Sequence, residues 1–149
     1  MGQALPLKRG ASHQAFGGIV FNRSGLILMC SEEQQPGLQQ WHLPVATPLP
    51  SESPATTALR SLQHLTDMSV RIVGKLPSSF EYSNAVADYF LMTPTTDTSS
   101  IVAPNLRWVL PDEAIAEVDA QSKDLARPDW QAIQQLYQLK HQIFRLLGL

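Results

Sequence analysis

The stretch from Trp41 to Ser69, WHLPVATPLPSESPATTALRSLQHLTDMS, limits the fold more than any other. Pro44, Pro48 and Pro50 lack the N–H that a helix or an interior strand needs, so both ladders break there. Ser53-Pro54 then opens a helix, with serine as the cap and proline at the first helical position, where no donor is required. Ala55, Ala58, Leu59, Leu62 and Leu65 follow at helical spacing and make one apolar stripe; Thr66-Asp67 ends it. This segment therefore reads as strand, irregular loop and short amphipathic helix. The helix has to lie on a core built by the rest of the chain.

The rest supplies that core. HQAFGGIVFN and GLILMCSE read as two strands joined by NRSG, in which Asn22 and Gly25 tolerate the positive φ of a hairpin turn. Gly17 and Gly18 inside the first strand indicate either a bulge or a backbone face approached by a ligand. EEQQPGLQQ reads as a polar loop with a Pro-Gly turn, and WHLPVA as a short strand. MSVRIVGKL, SSFEYS, AVADYFLMT and LRWVLP give further strands, with PTTDTSSIVAP as a loop. Pro111 and two acids open a short helix over PDEAIAEV. The C-terminal PDWQAIQQLYQLKHQIFRLLGL is a long amphipathic helix with the stripe Trp130, Ile133, Leu136, Tyr137, Lys140, Phe144 and Leu147.

At 149 residues, with 44% apolar and 16% charged residues, the chain is globular and bounded to one domain, residues 13–149, behind an N-terminal arm of residues 1–12. A net charge of −2 gives no broad electrostatic case for nucleic acid or an anionic membrane. No apolar run approaches the roughly 18 residues a membrane span needs. The start MGQALPLKRG lacks an apolar secretory core, and Pro6 stands where myristoylation wants Ser or Thr; a cytoplasmic location is the expectation. The single cysteine, Cys30, lies in GLILMC and reads as a buried thiol rather than a nucleophile.

The element order and the spacing around the helix resemble the Nudix hydrolase family. That family's signature runs Gly, five residues, Glu, seven residues, Arg-Glu, an aliphatic, any residue, Glu-Glu, any residue, Gly, aliphatic. Glu52 falls on the first glutamate, Arg60 on the arginine, and Leu62 and Met68 on the aliphatics. Ala46 stands at the first glycine, Ser61 at the glutamate after the arginine, His64 and Leu65 at the Glu-Glu pair, and Asp67 at the closing glycine. FGGIVFNRSGLILM resembles the family's first hairpin, DYFLMT its later central strand, and LRWVLPDEAIAEV its strand–helix step near the C-terminal end. The resemblance implies an α+β fold, an α/β/α sandwich with a mixed central sheet. It also implies that the helix glutamates, which hold divalent metals against a diphosphate in the family, are missing here. The brace between the first glutamate and the arginine is retained.

Chemistry supports that contrast. Magnesium takes oxygen ligands, chiefly carboxylates and substrate phosphates, and metal-assisted attack on a pyrophosphate needs the ion in place. Ser61 is a poor magnesium ligand, Leu65 is none, and His64 suits zinc or copper better but has no second ligand at the usual spacing. Glu52 is a candidate ligand, yet pairing with Arg60 is its preferred role. Glu32, Glu33, Glu81, Asp88 and Asp97 are acids that could stand in from loops or strand edges. Glu113 and Glu117 fit helix-terminus or surface roles. His13, His42 and His141 form no ligand spacing. Trp41 and Phe80 could stack a base but favour the core.

Three functional classes follow. The leading expectation is a pseudo-enzyme of Nudix type that binds a nucleotide-type ligand, a nucleoside diphosphate, or a protein partner. Its candidate binding residues are Arg60, His64, Gly17, Gly18 and Trp41, and Glu52 is the candidate catalytic residue. The second is a divergent Nudix hydrolase that cleaves a nucleoside diphosphate linked to another moiety, using Mg or Mn held by ligands outside the helix. The third is a pure interaction module. The C-terminal helix is expected to dock on its own domain, with a homodimer as the alternative.

Overall fold

The backbone pairs its strands into two sheets, and each face of the larger one is covered by helix. The computed structural model describes residues 13–35, 38–63, 65–82, 85–95, 104–121 and 128–148. Its elements are β1 (His13–Val20), β2 (Ile27–Gln35), β3 (Leu38–His42), β4 (Val45–Ala46), α1 (Pro54–Gln63), β5 (Val70–Lys75), β6 (Phe80–Tyr82), β7 (Ala85–Pro94), β8 (Leu106–Val109), α2 (Pro111–Gln121) and α3 (Pro128–Leu147). The expected arm, with Asp97 and His64, lies outside the described residues.

The five-stranded sheet runs β4-β1-β7-β5, with β6 also on β7. β1 and β7 are parallel, His13 opposite Ala85 through Val20 opposite Met92, while β4, β5 and β6 pair antiparallel. The second sheet is antiparallel, in the order β3-β2-β8. The mixed sheet that the resemblance implies is therefore present.

Strand alternation divides the core in two. Phe16, Val20, Leu28 and Met92 pack with Ala58 and Leu62 of α1 and with Met68. Ile19, Phe21, Tyr89 and Leu91 point the other way, onto Ala132, Ile133, Leu136 and Ile143 of α3 and Ala114 of α2. These two clusters are the layers of an α/β/α sandwich, and α3 docks on its own domain. Among the described residues, no helix is long and apolar enough to cross a membrane.

Local differences from the sequence reading have physical causes. Asn22 does not use positive φ. Its Oδ1 accepts the N–H groups of Ser24 and Leu26 at 2.9 and 3.0 Å, while Gly25 takes the left-handed position at φ 80°. In the expected polar loop over EEQQPGLQQ, the residues up to Gln35 and from Leu38 are paired strand instead, with Glu32 opposite Gln40 and Glu33 opposite Gln39, while the expected Pro-Gly turn lies outside the described residues. The pairing partner supplied by β2 overrides the weak strand preference of Glu and Gln. Along α3 the buried stripe is Ala132, Ile133, Leu136 and Ile143; Tyr137 and Lys140 face outward, with the Lys140 ammonium 4.3 Å from the Tyr137 ring.

Candidate functional site

The loop before α1 is held by one carboxylate. Ser53 caps the helix by accepting the Thr56 N–H at 3.2 Å, with Pro54 as its first residue. Ser51, in the turn just before Glu52, takes φ 66°. Arg60, two helical turns on, then donates from Nε to Glu52 Oε2 at 2.8 Å and from Nη2 to Oε1 at 3.0 Å, a bidentate pair. Oε1 also accepts the Leu49 N–H at 2.9 Å and the Thr57 hydroxyl at 2.8 Å. Nη2 of Arg60 reaches on to the Thr47 carbonyl at 2.6 Å. The brace expected between Glu52 and Arg60 is thus closed on the loop at Thr47 and Leu49 and on the helix at Thr57.

The electrostatics follow from those bonds. The Arg60 hydrogen bond first, and the Leu49 N–H next, hold the Glu52 carboxyl at about 2 against an ordinary 4.5. Glu52 in turn raises Arg60. Within the chain, Oε1 of this carboxylate takes three donors and Oε2 takes one.

The next signature position is also occupied internally. Ser61 is buried, and its Oγ donates to the Ala58 carbonyl at 2.6 Å, back into its own helix. Leu65, half-buried after the helix end, offers no donor atom. A hard cation needs several free oxygens. The described residues at the signature positions do not fit one. Among the described residues no group of three His, Cys, Asp or Glu stands together as a metal site.

Gly17 and Gly18 are closely approached, and what approaches them is the protein itself. A Cβ on Gly17 would stand 2.3 Å from the Pro44 carbonyl oxygen and 2.9 Å from the Tyr89 ring. One on Gly18 would stand 2.8 Å from Met92. Gly18 also donates its N–H to Pro44 O at 3.2 Å, tying β1 to the proline loop. The space between β1 and α1 is filled by Phe16, Val20, Met92, Ala58 and Leu62.

No family model matches the sequence, and neither does any curated protein. Solved structures do match the fold. A NUDIX hydrolase from Nitrosomonas europaea superposes with a TM-score of 0.66 over 85% of this chain and 88% of its own, at 14% identity. The chain has the Nudix fold. A C. elegans Ap4A hydrolase gives a TM-score of 0.62 at 14% identity, over 86% of this chain and 98% of its own. The E. coli ORF135 protein gives 0.62 at 18% identity, over 88% and 94%.

Within this Nudix fold, the other candidates scatter. Trp41 packs on the α3 side with the Arg107 guanidinium 4.4 Å over its ring, away from the Glu52–Arg60 brace. His42 sits on β3 beside Cys30, with Sγ to Nδ1 at 3.5 Å, and its Nδ1 lies 2.9 Å from the Leu43 carbonyl. Cys30 is buried. Asp88 pairs with Ser79 and lies 3.7 Å from Lys75 Nζ. Glu113 accepts the Leu110 N–H at 3.0 Å, a helix-start role as expected. Glu81 is exposed on β6, and His13 and His141 are exposed at separate places. Reasoning from sequence missed Thr57 and Thr47. Thr57 was legible in principle, since it lies one turn from Arg60 on the same helix face. Thr47 contributes only a carbonyl and left no side-chain signal.

Proposed function

We propose that this chain is a Nudix-fold pseudo-enzyme: it has given up standard magnesium-dependent pyrophosphohydrolysis and acts by binding a nucleotide-type molecule or a protein. One observation carries the reading. The one carboxylate at the signature's glutamate positions, Glu52, is bound to Arg60, Leu49 and Thr57 inside the chain, and Ser61 supplies only a neutral hydroxyl, turned to the Ala58 carbonyl. What stays of the family motif is its structural half. The packed space between β1 and α1 further favours a surface contact over a deep nucleotide cleft.

The test is hydrolysis of a panel of nucleoside di- and triphosphates, dinucleoside polyphosphates, ADP-ribose and nucleotide sugars, with magnesium and with manganese. The expected result is no turnover above buffer. Binding then separates the two modes, since a nucleotide that prefers the folded state raises the melting temperature and a protein-only surface shows no such rise.

A second reading keeps activity, with Mg or Mn as cofactor. Asp88 favours it, because β7 alternation places this half-buried carboxylate on the α1 side of the sheet. Metal-dependent turnover lost in Asp88→Asn would establish that reading.

A further inference from the structure

On the sheet face opposite α1, the C-terminal half of α3 does not close against the sheet edge. Between them runs a groove of about 190 Å³, lined by Gly74, Leu76, Leu91, Leu139, Ile143 and Leu146. Its lining is largely apolar, and Leu146 is 67% exposed. The strand beside it, β5, ends the strand order β4-β1-β7-β5, so its outer side has no described strand partner. An apolar groove next to an open strand edge can offer ladder hydrogen bonds and a side-chain socket together.

Charge selects the occupant. β5 carries Arg71 and Lys75 and no acid. α3 carries Lys140, His141 and Arg145 and no acid after Asp129. Arg71 and Arg145 are exposed, while Lys75 is partly engaged by Asp88 at 3.7 Å. The elements that bound the groove therefore carry cations and no acid after Asp129, and the groove's own lining holds no carboxylate. Pairing of β5 on a second copy of itself, antiparallel about Val73, would set Arg71 directly opposite the other copy's Lys75. The bulge between Ile72 and Gly74 opposes self-pairing as well.

We propose that β5 and this groove receive an extended, acidic segment of a partner protein, which adds to the strand edge and seats one aliphatic side chain against Leu91, Ile143 and Leu146. The bulge divides the edge, and the groove begins at Gly74, so the anchor residue lies on the Lys75 side of it. This site is on the far side of the sheet from Glu52 and Arg60, and it stands whether or not the chain hydrolyses a nucleotide.

The experiment is selection of random ten-residue peptides displayed on phage against the full chain, followed by fluorescence anisotropy with the enriched peptides. Leu146→Glu and Arg71→Glu are the variants, because both residues are exposed and their replacement leaves the fold intact, which matching thermal midpoints verify. The expected peptides place Asp or Glu around an aliphatic residue. They lose affinity by about tenfold or more on each variant. Enrichment of basic or uncharged peptides, binding unchanged by Leu146→Glu, or no peptide selected at all would overturn the proposal. Sedimentation velocity guards the alternative: a concentration-dependent dimer that Leu146→Glu abolishes would assign the groove to a second copy instead.

Discussion

Gly17→Ala probes whether the backbone face of β1 is sealed by the protein or open to a ligand. The added Cβ would stand 2.3 Å from the Pro44 carbonyl oxygen and 2.9 Å from Tyr89. Tyr89 is fully buried, and the carbonyl belongs to a proline that also accepts the Gly18 N–H, so neither neighbour can swing aside. Overpacking of this kind costs about 1–3 kcal/mol, and displacing Pro44 weakens a hydrogen bond worth about 1 kcal/mol. The stiffer unfolded chain returns about 0.4–1 kcal/mol. The net loss is about 2 kcal/mol, which lowers the melting temperature of a domain this size by roughly 4–8 °C. Gly74→Ala is the matched control, since its Cβ would meet only Leu91 Cδ1 at an ordinary 3.6 Å. Urea unfolding followed by circular dichroism should leave Gly74→Ala within about 0.5 kcal/mol of wild type and Gly17→Ala clearly below it. Equal stability of the two variants would refute the sealed strand and restore Gly17 as a ligand-facing position.

Leu62→Ala, in the buried α1 cluster, should cost about 2–5 kcal/mol in the same assay. Gly25→Ala, forced into the left-handed region at φ 80°, should cost about 1–2 kcal/mol, with Gly25→Asn tolerated better. Glu52 protonates at about 2 in the folded chain against 4.5 ordinarily, so on acidification the unfolded state takes up the proton first. The brace's stabilisation is therefore complete above about pH 4.5 and declines toward pH 2. Acid unfolding curves should show that decline in wild type and a shallower one in Glu52→Gln.

The parts of the fold that the sequence disclosed are those governed by short-range chemistry. Ser53-Pro54 marked the start of α1, and the eight-residue interval from Glu52 to Arg60 marked the brace. The parts it withheld depend on distant partners. Glu32 to Gln40 reads as loop until β2 and β3 pair, because strand preference there comes from the neighbour rather than the residue. Gly17 and Gly18 show that something comes close, but only the fold shows that it is Pro44, Tyr89 and Met92. In α3, Tyr137 and Lys140 fit the helical period of the stripe, yet they pair with each other outside while Ala132 and Ile143 turn inward. The proposed loss of the metal site rests on Ser61 and Leu65, since the lack of a carboxylate there is visible in the residue type itself. The groove beside β5 left no motif, being assembled from residues far apart in the chain.

The proposed function requires that the signature helix gathers no metal ion. Manganese titration followed by the electron paramagnetic resonance signal of the free ion measures this directly, without knowledge of any substrate. The account predicts no site tighter than about 1 mM, on the argument that hard cations need several free carboxylate oxygens, and the same curve for wild type and Glu52→Gln. A tighter site in the wild type that Glu52→Gln abolishes would contradict it, and would place Glu52 among metal ligands rather than in a brace.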